Sequence, residues 1–183
     1  GRYGGPDTGR NLEKNLVALS RWIPGLELPF ISIPAEPFYQ ALMDLHEPKL
    51  RCVICKHAML KLALQYAKKA GCDGIVTGDN LGQVATQTLY NLASISSGID
   101  IPVYRPLIGY DKEEIITLAR KIGTYSSDPG DTSCAALPTR PVTRSDAGEI
   151  EEIMESSSMK EIIQEIQKSS MKKIIKNRII TDA

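Results

Sequence analysis

The feature that most constrains the fold is a regular alternation of strand and helix signals. The run Gly74-Ile75-Val76-Thr77 is typical of a buried strand, and residues 102–107 predict another. Helical periodicity surrounds them, over residues 52–70, 81–93 and 111–122. This alternation favours an α/β domain with a parallel sheet, a fold in which ligands bind at the carboxyl ends of the strands.

The flanking segments are assigned in chain order: a helix over 11–22, a strand over 28–33, a helix over 36–45 and a Pro- and Gly-containing loop over 126–144. The tail from residue 146 contains a near-repeat, residues 157–163 against 169–175. We interpret the two copies as short amphipathic helices that cover the core. The sequence therefore predicts an α/β domain over residues 1–145 and a helical C-terminal extension over residues 146–183, packed on that domain.

Composition excludes several classes of protein. The chain has 183 residues, of which 42% are hydrophobic and 24% charged, as in an ordinary globular protein. The formal net charge of zero gives no strong overall field, so a nucleic acid would have to be held by a local patch or by another domain. Four cysteines are too few for a disulfide scaffold. No signal peptide or membrane span is apparent, so we expect a cytoplasmic protein with no membrane partner.

Cysteines provide the first chemical signal. Cys52 and Cys55 form a CxxC pair at the start of a predicted helix, and Cys134 lies in the loop far downstream. Such thiols are redox partners or ligands of one soft metal centre. Three thiolates suit an iron–sulfur cluster with one open iron, or a redox triad, better than zinc, which would need a fourth ligand such as His57. A pair of buried cysteines without chemistry is also consistent with the pattern.

The segment TGDNLGQVATQT at residues 77–88 provides the second signal. Gly78 follows a strand and would let a ligand approach the backbone closely. A helix start after Asp79 would offer N–H groups to an anion, and Gln83 and Gln87 would share one face of that helix. The competing interpretation is a structural turn in which Asp79 or Asn80 caps the helix.

Three cations accompany these signals. Lys56 directly follows the CxxC pair, where it would meet a phosphate or lower the pKa of the thiols. Arg140 and Arg144, near the end of the loop, would suit phosphate contacts. For all three, a solvated surface side chain is the alternative.

These segments resemble the ThiI-type tRNA 4-thiouridine synthetase family of PP-loop ATP pyrophosphatases. The resemblance rests on TGDNLGQVATQT, on RPLIGYDKEEI (residues 105–115), on RKIGTY (120–125) and on PVTR (141–144). It covers most of residues 50–144 and is looser over the first forty residues. The cysteine pair is similar to that of the archaeal-type, cluster-bearing branch of the family.

The resemblance implies a Rossmann-like PP-loop domain that adenylates a tRNA uridine with ATP and Mg²⁺ and then inserts sulfur. It assigns nucleotide binding to the positions of Lys56, Gly78 and Gln87, and we add Asp79 and Gln83 from the same segment. It assigns the essential family cysteine to Cys134, and a 4Fe–4S cluster to Cys52, Cys55 and Cys134. The implied partners are tRNA, bound through domains absent from this chain, a sulfur donor (sulfide or a persulfide protein) and a second copy in a homodimer. The family also implies a link to thiamine biosynthesis.

The chain departs from the family pattern at its start. The SGGxDS phosphate loop is not in the sequence, so we expect a domain that lacks its first strands at the N-terminus and is inactive alone. Residues 28–33 and 74–78 would then flank a gap in the sheet. Three rivals stay open. They are another PP-loop thiolation enzyme, a non-catalytic module for nucleotide binding or subunit interaction, and a zinc-stabilised structural domain.

Overall fold

The computed structural model describes residues 5, 7–23, 25, 27–82, 87–128, 130–131, 133–176 and 179–182. It consists of two compact units. Unit 1 contains Gly1–Tyr39, Glu113–Ala135 and Glu161–Ala183, and unit 2 contains Gln40–Lys112 and Ala136–Lys160. The division predicted between residues 145 and 146 stays a prediction. Within the described residues, no helix is both long and apolar enough to span a membrane.

The described elements confirm the α/β class. In chain order, the helices are α1 (Thr8–Leu19), α2 (Glu36–Met43), α3 (Arg51–Ala70), α4 (Leu89–Ile95), α5 (Lys112–Ile122), α6 (Ala147–Glu155) and α7 (Ser157–Lys168). The strands are β1 (Leu28–Ser32), β2 (Ile75–Val76), β3 (Val103–Tyr104), β4 (Met171–Lys176) and β5 (Ile179–Asp182).

Unit 2 contains the parallel pair that the alternation predicts. β2 and β3 run parallel, with Ile75 opposite Val103. The backbone N–H of Thr77 continues the pairing by donating to the carbonyl of Tyr104 at 2.9 Å. Since the two strands are parallel, the residues that follow them leave the sheet at the same edge.

Helix α3 forms the centre of unit 2. Leu50, just before the helix, and Val53 and Ile54, in its first turn, are fully buried. Burial of such side chains contributes about 1.5–3 kcal/mol each. The Arg51 side chain fixes this end by donating to the carbonyls of Leu42 and Met43 at 2.8 and 2.6 Å. Gly71 ends the helix with a φ of 68°, a left-handed conformation that glycine adopts readily. The helix predicted over residues 52–70 is thus confirmed.

Unit 1 contains an antiparallel sheet in the order β1-β4-β5. β1 pairs with β4 on one side and forms an edge of this sheet on the other. The expected gap between residues 28–33 and 74–78 stays a prediction. The sequence pattern predicts a helix for the second copy of the near-repeat, residues 169–175. This prediction is wrong, because Met171–Lys176 is strand β4. β-branched Ile174 and Ile175 suit a strand, and backbone pairing with β1 and β5 outweighs the local helical pattern. The helical part of the extension ends at Lys168.

The helix predicted over residues 81–93 begins later than expected. α4 starts at Leu89, and the Thr88 hydroxyl accepts a hydrogen bond from the Asn91 N–H at 3.2 Å as its N-cap. Before it, Gly82 has a φ of 76°, and its N–H donates to the carbonyl of Gln87. Residues 81 and 82 thus belong to a loop, and residues 83–86 lie outside the described part of the chain.

His57 is a fully buried polar residue in the core of unit 2. Its Nδ1 lies 2.9 Å from the carbonyl of Ile95 on α4, which makes Nδ1 the protonated nitrogen of the neutral ring. Nε2 lies 3.7 Å from Glu151 Oε1 on α6, and Lys61 of α3 contacts the same carboxylate oxygen at 3.1 Å. Burial lowers the pKa of His57 and outweighs the opposing effects of the Ile95 carbonyl and the Glu151 charge.

We expect the free energy of unfolding to decrease as the pH falls through the unfolded pKa of histidine, about 6.5, towards the lower pKa of folded His57. In this window the unfolded chain binds more protons, so stability changes by up to about 1.4 kcal/mol per pH unit. Urea unfolding of wild-type protein and of His57→Gln measures the effect. The exposed His46 is the other histidine, so His46→Gln serves as control. Identical pH profiles for His57→Gln and wild type would contradict this assignment.

Candidate functional site

Unit 2 brings Asp79 and Arg105 together at the carboxyl ends of β2 and β3. Lys56, in the second turn of α3, donates to Asp79 Oδ1 at 2.9 Å. The other carboxylate oxygen accepts a bond from the Thr77 hydroxyl at 2.8 Å and one from Arg105 Nε at 3.3 Å. Arg105 Nη2 also donates to the Ser96 hydroxyl at 2.7 Å. We call Lys56, Asp79 and Arg105 the charged cluster.

The charged cluster has a net positive charge. Burial opposes ionisation of Asp79, but hydrogen bonds from Lys56 and Thr77, with the charges of Lys56 and Arg105, hold its pKa below the usual value. Asp79 is therefore ionised at neutral pH, and the cluster has two positive charges and one negative charge. The side chains of all three are at most 25% exposed, so water screens their charges less than it does at the surface.

Gly78 lies directly beside the charged cluster and leaves its backbone accessible. A Cβ placed on Gly78 would meet no described residue within 4 Å, and the φ of this residue lies outside the left-handed region. The described part of the chain therefore does not require glycine here, either for backbone conformation or for space. A bound molecule that approaches the backbone closely would explain why glycine is present at this position.

Two buried amide oxygens lie in the same segment. Gln87 Oε1 and Asn80 Oδ1 accept no hydrogen bond from the described residues. The amide nitrogen of Asn80 is used, since it donates to the carbonyls of Leu107 and Tyr110. An unpaired buried acceptor costs about 1–3 kcal/mol, so a ligand with hydroxyl or amino donors suits these oxygens. Gln83, also predicted for this site, lies outside the described residues.

The cysteines divide between the units. Cys52 and Cys55 are half-buried in the first two turns of α3, and their spacing places them on the same helix face as Lys56. Cys134 is exposed and belongs to unit 1, and Cys72 is exposed after the end of α3. Within the described residues, no three His, Cys, Asp or Glu side chains are grouped closely enough to hold a metal ion. The cluster ligated by Cys52, Cys55 and Cys134 therefore stays a prediction.

Sequence reasoning left two residues of this region without a role in the site. It placed Arg105 at the end of a strand, where it could share one rim with Gly78 and Asp79, but did not count it among the nucleotide-binding residues. Asn91 had no signal in the sequence, yet it is fully buried and its amide bonds the backbone of Val142 and Ser145. Neither Asp79 nor Asn80 is a helix cap, which was the competing interpretation of this segment.

Comparison with known proteins supports the resemblance found in the sequence. The family model for Thiamine biosynthesis protein (ThiI) matches residues 2–173. The probable tRNA sulfurtransferase of Methanocaldococcus jannaschii is 46% identical over 121 residues, 66% of this chain and 32% of the relative. The probable tRNA sulfurtransferase of Methanobrevibacter smithii is 36% identical over 163 residues, 88% of this chain and 43% of the relative. Both sources agree with the archaeal-type branch that the resemblance implied.

A solved structure also resembles this chain. The crystal structure of a 4-thiouridine synthetase–RNA complex with bound ATP matches with a TM-score of 0.88 and 29% sequence identity. The match covers 95% of this chain and 46% of that chain. This chain thus spans about a third to a half of the length of the proteins that it matches. Because the family model matches nearly all of the sequence, the chain belongs to the ThiI family.

Proposed function

We propose that this chain is the catalytic-domain portion of a tRNA uridine 4-sulfurtransferase. The observation that carries the proposal is the charged cluster beside the accessible backbone of Gly78, at the carboxyl ends of two parallel strands. Ligands of α/β proteins bind at this edge. The family membership and the names of the relatives supply the reaction class.

The residues of unit 2 fit ATP. Lys56 would bind a phosphate oxygen, and the net positive charge of the cluster would hold the polyphosphate with its Mg²⁺. Gly78 would let the adenine or ribose pack against the backbone, and Gln87 Oε1 would accept from a hydroxyl or amino group of the nucleoside. Asp79 holds Lys56 and Arg105 in position, and Gln83 is proposed to contact the same nucleotide.

The proposed reaction has two steps that balance in atoms and charge. The carbonyl oxygen of the tRNA uridine attacks the α-phosphorus of ATP, and pyrophosphate leaves with the electron pair of the broken P–O bond. A sulfur nucleophile then adds to the activated carbon and displaces AMP. In the first step, the positive charges of Lys56 and Arg105 would stabilise the negative charge that develops on the leaving pyrophosphate.

Cysteines would serve the second step. Cys52 and Cys55, near the N-terminus of α3, lie where the helix dipole favours thiolates. With Cys134 they would ligate a 4Fe–4S cluster, whose open iron can carry a sulfur atom when the cluster is bound. The same proposal includes a sulfur donor (sulfide or a persulfide protein), a homodimer and a cytoplasmic location.

The test uses the full-length protein with tRNA, ATP and sulfide under anaerobic conditions. We expect pyrophosphate release that depends on tRNA, followed by formation of 4-thiouridine in the tRNA. Pyrophosphate release with a different acceptor would favour another PP-loop thiolation enzyme. Nucleotide binding without any pyrophosphate release would favour the non-catalytic module and would reject the proposal.

Gly78→Ala is expected to weaken ATP binding without destabilising the fold. The added methyl group meets no atom of the described residues within 4 Å, so we expect it to obstruct the nucleotide. We expect an increase of about tenfold in the Kd for ATP, equivalent to about 1.4 kcal/mol, and an unchanged Tm. Calorimetric titration of ATP and thermal unfolding measure the two quantities.

Gly74→Ala provides the matched control in the same βα segment. Its Cβ would lie 2.8 Å from the Tyr104 ring and 3.1 Å from the carbonyl of Pro102, so this variant should lose stability through the β2–β3 pairing. An unchanged Kd for ATP in folded Gly78→Ala would remove Gly78 from the nucleotide site.

A further inference from the structure

One surface of unit 2 presents an exposed arginine–tyrosine stack. The Arg144 guanidinium lies over the Tyr90 ring, with its Cζ 4.3 Å from the ring centroid. Tyr90 is 56% exposed and the adjacent Leu89 is 70% exposed. Arg140, four residues before Arg144, is also exposed. We call Leu89, Tyr90, Arg140 and Arg144 the arginine–tyrosine surface.

The loop that carries Arg144 is held rigidly against α4. The buried Asn91 side chain donates to the carbonyl of Val142 at 2.9 Å and accepts bonds from the N–H and hydroxyl of Ser145 at 2.9 and 2.8 Å. The hydroxyls of Thr88 and Ser94 donate to the carbonyls of Thr143 and Ser145. These bonds fix the backbone on both sides of Arg144, so a partner would not have to order this loop when it binds.

The two arginines retain their charge for a partner. Within the described part of the chain, neither guanidinium forms an ion pair with a carboxylate. Other cations of unit 2 do form such pairs, including Lys49 with Glu47, Lys61 with Glu151 and Lys68 with Asp100. The arginine–tyrosine surface therefore combines two unneutralised guanidiniums with exposed aromatic and aliphatic groups.

We propose that the arginine–tyrosine surface binds RNA. A guanidinium stacked on a tyrosine leaves its second face for an unpaired base, and planar guanidiniums are well suited to phosphate oxygens. Arg140, exposed on the same loop as Arg144, supplies a second phosphate contact, and Leu89, next to Tyr90 in the chain, supplies an apolar edge for a sugar or base. The inference rests on the proposed function, since the RNA is the tRNA substrate, and it adds a contact made by the catalytic portion itself.

The test compares Arg140→Gln/Arg144→Gln with wild-type full-length protein. We expect the KM for tRNA in thiolation to rise about tenfold, while the KM for ATP and the Tm stay unchanged. The slope of log Kd for tRNA against log salt should become less steep by about 1 to 2, because up to two phosphate contacts are lost. Tyr90→Leu should raise the KM for tRNA, and Tyr90→Phe should restore it, since a phenyl ring keeps the cation–π contact.

Arg120→Gln is the matched control, because Arg120 is another exposed arginine stacked on a tyrosine, with its Cζ 4.7 Å from the ring centroid of Tyr125. An equal rise in KM for this control would show a general charge effect and overturn the proposal. An unchanged KM and salt slope in the double variant would also overturn it. If wild-type protein thiolates tRNA in that case, the proposed function is still supported. Wild-type protein that neither binds nor thiolates tRNA would reject both.

Discussion

Replacing Cys134 with serine in the full-length protein is expected to abolish tRNA thiolation, and Cys52→Ser and Cys55→Ser are expected to be equally inactive. The reason is that each substitution would remove one of three thiolate ligands of the proposed cluster. Adenylation of tRNA should survive in all three variants, because no thiol is needed for attack on ATP. Thiolated nucleoside, pyrophosphate and bound iron are measured on anaerobically purified protein.

Cys72→Ser is the control for the cysteine series. Cys72 is exposed after the end of α3 and has no CxxC partner, so its substitution should leave iron content and thiolation unchanged. A persulfide carried on Cys134 alone predicts a different result, in which Cys52→Ser keeps some turnover. Wild-type activity of Cys52→Ser would refute the cluster, and loss of adenylation in Cys134→Ser would refute the separation of the two steps.

The second large effect is expected for Lys56→Ala, which should raise the Kd for ATP by about 10- to 100-fold. A hydrogen bond from a charged group contributes about 1.5–3 kcal/mol, and Lys56 would supply such a bond to phosphate. The fold should be maintained, because Asp79 keeps its bonds with Thr77 and Arg105. ATP titration and thermal unfolding separate loss of binding from loss of structure.

Lys61→Ala is the control for Lys56→Ala. Both lysines belong to α3, both are partly exposed and both pair with a carboxylate, Lys61 with Glu151. They differ in that Lys56 lies in the charged cluster. Similar losses of ATP affinity in the two variants would remove Lys56 from the nucleotide site, and a selective loss in Lys56→Ala would support it.

Local signals predicted the central elements of unit 2 well. The helix predicted over residues 52–70 is observed at Arg51–Ala70, because good helix formers and a glycine that can adopt a positive φ are local properties. The strand at Met171–Lys176 was not predicted, since the sequence pattern of residues 169–175 is also compatible with an amphipathic helix. The strand conformation of this segment depends on pairing with Leu28–Ser32, which is far away in the chain.

The candidate site shows the same limit of sequence reasoning. Lys56, Gly78 and Asp79 were proposed from the residues and the resemblance, and the structure brings Lys56 and Asp79 into contact. Sequence alone favoured capping for Asp79 and Asn80, the usual local use of these residues. Apart from Thr77, the partners described for Asp79 and Asn80 lie 23 to 30 residues away, so only tertiary structure could identify them.

The Asn91 bonds have a consequence for synthesis of the protein. They join residues 51 to 54 positions apart in the sequence. At translation rates of about 5–20 residues per second, Asn91 leaves the ribosome roughly 3–10 seconds before Val142 and Ser145. During that interval the polar side chain that later becomes fully buried has none of these backbone partners. Helix α4 therefore reaches its final environment only after the segment with Arg144 has emerged.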